Sequence, residues 1–372
     1  MAIQSKTGDP FGKNDSLAIK GCVIILMVMH HLFRTPSIYE GYEINFLFFS
    51  EEFINQLFTY FKLCVGAFAF ISGYGISKSY KANREKEPLG VFYTGRIVKT
   101  LLPFWFIYLI VFALNLITAG LSGSVYFKNV NKPTGVLYMI LDFLCLQSFT
   151  KTPSLDSSWW YMGAALLFIL AVPLLVRMIE KAGWLACVLT VVIAPRLLGI
   201  GFLGGTAPAS FLMAVALGVI FEHYGLFSFF NNVRIPMFGI KPLREAVTFL
   251  VFLGIAILGF LSYSSIKTSL LWEFSYAIVP ITYILFANRY IARIPYLRTV
   301  LIFLGKHSAN VFLIHTVLRS YLKDFIYAQH NFLFSIGLLF LLSLAGSIVI
   351  ELLKRLLRFN KLYELLNKKT TA

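Results

Sequence analysis

The chain has 372 residues, of which 58% are hydrophobic and 13% charged. A soluble domain carries about 25% charged residues, so the composition excludes an ordinary soluble protein and points to an integral membrane one. The formal net charge is +16, yet the cations are spread between apolar runs and are not gathered in one basic module. That argues against nucleic-acid binding and fits a cytoplasmic excess of Lys and Arg around membrane spans. The 37 Phe and 19 Tyr suit lipid-facing and interfacial surface.

In chain order, residues 1–16 form a polar tail with Lys6 and Lys13. No small-residue cleavage site follows the first apolar run, so a cleavable signal peptide is not expected. That run, from about Leu17 to Phe33, is the first span. The loop after it holds Glu40, Glu43, Glu51 and Glu52 against Arg34 alone and is placed outside. The second span covers about Phe53 to Ser77. The loop that follows, with Lys78, Lys81, Arg84, Lys86, Arg96 and Lys99, is placed inside. The third span covers about Leu101 to Ala119. The segment Val136 to Phe149 contains Asp142 and Gln147 and is short for a crossing. Reading it as re-entrant or interfacial keeps every later basic loop inside. Further spans are expected near 158–176, 184–200, 207–222, 246–263, 270–288, 299–322 and 332–353, followed by a basic amphipathic tail over 354–372 suited to an anionic leaflet. The expected architecture is all-α: one polytopic membrane helix bundle over residues 1–372, about ten transmembrane helices, both termini cytoplasmic and no second domain. Cys22, Cys64, Cys145 and Cys187 all lie in apolar runs and read as small hydrophobes, so neither disulfides nor a metal site is expected.

The most informative stretch is KGCVIILMVMHH, Lys20 to His31. Eleven helical steps rotate about 1100°, three turns plus about 20°, so Lys20 and His31 share a face and lie about 16 Å apart along the axis. His30 points about 80° away from Lys20. A titratable group within a span is costly and asks for a reason. A bland reading has Lys20 snorkelling to one interface and the histidines reaching the other. His315 sits in the outer half of another span that runs in the same direction, at a depth similar to His31, so the two can share one cavity. The alternative for His315 is a core histidine bonded to a backbone carbonyl.

Several stretches together resemble the acyltransferase 3 family, multi-span membrane acyltransferases that modify cell-surface glycans. They are Lys20-x10-His31; FAFISGYGIS over 68–77, with Ser72 and Gly73; GRIVKTLLPFWF, with Arg96, Lys99 and Pro103; WWYMGAALLFILAVPLL from Trp159 to Leu175, with Trp160; and LGKHSANVFLIHTVLR from Leu304 to Arg319. Many members carry a glutamate inside the tryptophan segment, where this chain has Ala164, Ala165 and Leu166. Glu273, at the outer end of another span, is a possible substitute, with a plain loop-end residue as its other reading.

The resemblance implies O-acyl transfer, O-acetyl transfer above all, in the plasma membrane of a bacterial cell. The donor would be acetyl-CoA or another acyl-CoA, and the acceptor a glycan or lipid-linked saccharide beside the membrane lipids. A sugar hydroxyl is a poor nucleophile at neutral pH, and histidine titrates near that range. His31 is therefore the candidate general base or acyl carrier, with His315 orienting the acceptor or stabilising developing charge. Arg96 and Lys99, with Lys20, would hold the donor's phosphates. Ser72-Gly73 would allow close approach of the donor or of a neighbouring helix. Positive-inside orientation alone is the competing explanation for Arg96 and Lys99. A transporter or flippase of a lipid-linked glycan is the alternative function, since it too would place polar groups at mid-depth across about ten spans.

Overall fold

The computed structural model describes residues 11–197, 207–234, 240–267, 272–359 and 361. Among them the chain is helical, and its β-structure is one isolated parallel bridge between Asn45 and Asn331. The helices are α1 Lys13–Phe33, α2 Glu51–Tyr60, α3 Leu63–Asn83, α4 Leu89–Gly123, α5 Lys132–Phe143, α6 Gln147–Thr150, α7 Trp160–Leu197, α8 Leu212–Tyr224, α9 Leu226–Asn232, α10 Lys241–Lys267, α11 Trp272–Arg289, α12 Pro295–Tyr321, α13 Lys323–Tyr327 and α14 Phe332–Leu356. The all-α polytopic bundle is as expected. The span count differs: seven described stretches are long and apolar enough to cross, or eight with the bent pair formed by Pro208–Tyr224 and Leu226–Asn232. Two features account for the difference from ten. The expected spans at 158–176 and 184–200 lie in the two helical parts of Trp160–Leu197, which break at Gly183 in the left-handed region (φ 81) and count as one stretch among the seven. The α11 helix is polar at both ends, with Glu273 at one and Asn288-Arg289 at the other.

The segment 136–149 forms α5 and the single turn α6, parted at Cys145 with φ 60. At 1.5 Å per residue α5 is about 18 Å long, too short to cross about 30 Å of hydrocarbon. The carboxyl group beside its sharp turn is satisfied within the protein. Asp142 is fully buried and accepts hydrogen bonds from Tyr126 Oη at 2.5 Å, Ser154 Oγ at 2.7 Å and the Leu155 amide at 2.9 Å.

Ion pairs fix which helix ends lie together. Asp15, near the start of α1, pairs with Arg298 at 2.9 Å and Arg293 at 3.6 Å. At the end of α3, Lys81 pairs with Glu222 of α8 at 2.7 Å and Arg84 with Glu180 of α7 at 2.7 Å. The opposite end is capped by the loop 34–50, α2 and α13, where Tyr327 Oη donates to the Leu32 carbonyl at 3.0 Å.

Small residues set the closest helix crossings. A Cβ added to Gly305 of α12 would stand 1.9 Å from the Leu17 carbonyl oxygen, and one added to Gly21 of α1 would stand 2.1 Å from that of Leu301. In the same way Gly73 of α3 and Gly218 of α8 face Val215 and Phe70 at 2.3 and 2.2 Å. Lipid offers no hydrophobic drive for helices to associate, so close backbone packing at small residues carries much of the adhesion. Gly305→Ala should therefore destabilise the bundle by about 1–3 kcal/mol, as overpacking does. Gly337→Ala, where nothing lies within 4 Å, should be neutral or slightly stabilising. Thermal unfolding of both variants in one detergent checks this; equal melting temperatures would contradict the close-packing account.

Candidate active site

The α1–α12 crossing brings two imidazoles together. The His31 and His315 rings lie 4.9 Å apart between centroids, inclined at 63°. The neighbouring His30 has a different environment. It is buried, its Nδ1 bonds the Phe58 carbonyl at 2.6 Å, and its Nε2 accepts from Arg34 at 3.4 Å. Both His30 nitrogens are thus occupied by the cap over this end of the bundle. His31 is half-buried, and its ring nitrogens make no hydrogen bond to the described protein residues. Its backbone is held instead: Arg319 donates from Nη1 to the His31 carbonyl.

His31 lines a cavity of about 530 Å³ that follows α1 from Ser16 and Lys20 to Met27 and His31. The lining also carries Arg96, Lys99 and Thr100 of α4, Ser72 and Gly75 of α3, Asn310 of α12, and Ser158 and Trp160 around the start of α7. Three cations thus meet at one end, and Lys20 lies close enough to Lys99 to be repelled by it. The described residues lining the cavity include no carboxylate. Gathering cations around one cavity is unfavourable, and an anionic group bound there would offset the repulsion.

Buried networks fix the walls. Asp156, 7% exposed, accepts from the Ser158 amide at 2.7 Å, from Ser158 Oγ at 2.6 Å, and from Thr316 Oγ1 at 2.6 Å. It ties the start of α7 to the residue next to His315. Trp159 is fully buried, and its indole N–H donates to the Leu313 carbonyl at 2.9 Å. Asn310 donates to Glu351 Oε1 at 2.8 Å and accepts from Lys354 Nζ at 3.1 Å, which locks its amide from the α14 side.

Of the residues singled out in the sequence, His31, Lys20, Arg96, Lys99, Ser72 and Trp160 all line this one cavity. His315 does not; it is fully buried behind His31, and its Nδ1 bonds the Phe312 carbonyl at 2.8 Å and that of Val311 at 3.1 Å. Ser72 and Gly73 divide their roles, the first facing the cavity and the second the α8 backbone. The Glu273 side chain lies outside the described residues. Asp156 was missed by the sequence reading. Its signal was local: Asp-Ser-Ser directly before two tryptophans is a helix-start pattern, and Asp156 caps the 3₁₀ turn Ser157–Trp159.

Residues 17–352 match the family model described as an acyltransferase domain. No curated protein and no solved structure matches the chain.

Removing the Asp156 carboxylate leaves the buried Ser158 amide unpaired and the Ser158 and Thr316 hydroxyls with only their mutual bond at 3.1 Å, at about 1–3 kcal/mol for each donor left unpaired. Asp156→Ala should lower thermal stability by an amount in that range. Thr316→Val alone should cost less, and in a double-mutant cycle the two should be clearly non-additive. Additive effects would show that the two residues do not share one network.

Proposed function

Because this chain belongs to the acyltransferase 3 family and is a membrane acyltransferase, we propose that it moves an acyl group, acetyl in the simplest case, from cytoplasmic acyl-CoA to a hydroxyl of a cell-envelope or exported glycan. The observation that carries this reading is a single cavity with cations at one end and an unpaired histidine at the other. The separation between them, about 16 Å along α1, is of the order of a pantetheine arm. In this reading the phosphates of the donor rest against Lys20, Arg96 and Lys99, with charge-assisted hydrogen bonds. The thioester lies along the wall formed by Ser72 and Thr100. The acceptor hydroxyl enters at the His31 end.

His31 then has one of two related tasks. As general base it takes the hydroxyl proton while the oxygen bonds to the acyl carbon, the C–S bond breaks, and the proton passes to the departing thiolate. As acyl carrier it first displaces the thiolate itself and then yields the acyl group to the hydroxyl. Either task needs an unoccupied ring nitrogen facing the cavity, which His31 has and His30 lacks. In this reading the cation end lies in the cytoplasm, where acyl-CoA is made, in a bacterial plasma membrane with both termini inside, an orientation the positive-inside pattern supports.

Three outcomes follow. His31→Ala and His31→Gln should bind acyl-CoA normally and lose transfer by about 10²- to 10⁴-fold or more, while His30→Ala keeps most activity. Transfer and donor affinity measured on the same nanodisc preparation check this, and an active His31→Ala would remove the catalytic assignment. Arg96→Ala with Lys99→Ala should weaken acyl-CoA binding in a salt-dependent way; unchanged affinity in correctly inserted protein rules out the phosphate role. Impermeant thiol labelling from outside should reach a cysteine placed at Glu43 and miss one at Arg84, and labelling at Arg84 would reverse the orientation and with it the donor side.

A further inference from the structure

His315 is placed to do something other than touch substrate. Its Nδ1 sits 2.8 Å from the Phe312 carbonyl oxygen and 3.1 Å from that of Val311. Carbonyl oxygens only accept, so Nδ1 carries the proton and donates it there. A neutral imidazole has one N–H, which leaves Nε2 as a bare acceptor. That nitrogen is fully buried and has no hydrogen-bond partner among the described residues. A buried acceptor without a donor is costly, and such groups are uncommon in native proteins.

The neighbouring ring is His31, with centroids 4.9 Å apart. The two rings are not hydrogen-bonded as they stand, but at this separation a turn of the His31 ring brings one of its nitrogens within hydrogen-bond reach of His315 Nε2. Catalytic hydrogen bonds of this kind are often loose before substrate binds. The other groups around the pair are His30, at 5.0 Å from His31 between centroids, Arg319, which holds the His31 carbonyl, and Asp156, which is engaged by Ser158 and Thr316. His30 and Asp156 have their hydrogen-bonding atoms committed elsewhere.

We propose that His315 is a positioning residue: its Nε2 lone pair accepts the N–H of His31, fixing the His31 tautomer so that the other His31 nitrogen presents its lone pair to the cavity. The arrangement has the logic of a base oriented by a second group, with an imidazole in place of a carboxylate. No proton leaves the pair in the resting state. When His31 takes the acceptor's proton, the imidazolium keeps its hydrogen bond to His315, and the proton later passes to the thiolate as the free thiol forms. The proposal rests on His31 being the reactive group.

The test uses two substitutions that divide the ring's functions. His315→Gln places an amide oxygen near the former Nε2 position, whereas His315→Asn reaches only the Nδ1 position and leaves nothing facing His31. Full-length protein in nanodiscs is assayed for acyl transfer from acetyl-CoA, with acetyl-CoA affinity measured in parallel. Expected is a kcat within about tenfold of wild type for His315→Gln, a loss of at least about 10²-fold for His315→Asn, and unchanged donor affinity in both. The proposal is overturned if both variants keep wild-type kcat, or if both lose kcat equally. The His31→Ala variant is run alongside. If it is active, the His31 reading fails; if it is inactive while His315→Asn is wild-type, the positioning role alone fails.

Discussion

The structure depends on one close contact between two helices. Where α1 crosses α12, Gly21 and Gly305 let the backbones meet so tightly that a single methyl group at either would strike a carbonyl oxygen. Farther along the same pair of helices, His31 and His315 come ring to ring. In lipid, apolar side chains gain little by moving from tails to neighbours, so backbone approach of this kind must supply the adhesion. The adhesion also sets the register. A slip of one residue on either helix would rotate a side chain by about 100° and take one imidazole away from the other. The Arg319 hydrogen bond to the His31 carbonyl and the Asp15 pairs with Arg293 and Arg298 pin the crossing at its two ends.

The cavity has a polarity that follows from this register. Lys20 and His31 lie on one face because eleven helical steps nearly close three turns, and the α4 cations face the Lys20 end. Cations at one end and an imidazole at the other form an asymmetric slot. Such a slot suits a ligand that is anionic at one end and reactive at the other, which is the chemistry of a nucleotide-linked thioester. The polar walls are held by partners outside the cavity: Asn310 by Glu351 and Lys354, Ser158 by Asp156. Preorganised polar groups of this kind need no rearrangement when a substrate arrives.

Much of this was legible in the sequence, and the reasons differ by element. Apolar length and the spread of basic loops were enough for the helices, and the 3.6-residue period was enough to separate His31 from His30. That 136–149 forms no long helix followed from its length, and the structure has two short helices there. The partner of each close crossing was not legible, because a glycine in a helix does not announce which distant carbonyl it will meet. Asp156 was passed over because a carboxylate just before a span reads as a loop residue, and its burial is a tertiary fact. The locked tautomer of His315 was equally out of reach, since it depends on carbonyls one turn back along α12. That the stretches on the two sides of Gly183 follow each other without an intervening loop was not legible, since it depends on one left-handed residue.

The central claim is that one slot holds a thioester donor with its thiol end at His31. The most direct measurement is a cryo-EM structure of the protein with coenzyme A bound. The account predicts nucleotide phosphates against Lys20, Arg96 and Lys99, and the thiol sulfur within about 3–4 Å of the His31 ring, the distance at which reacting groups are held. Coenzyme A bound elsewhere, or bound in the slot with its thiol end turned away from His31, would contradict it.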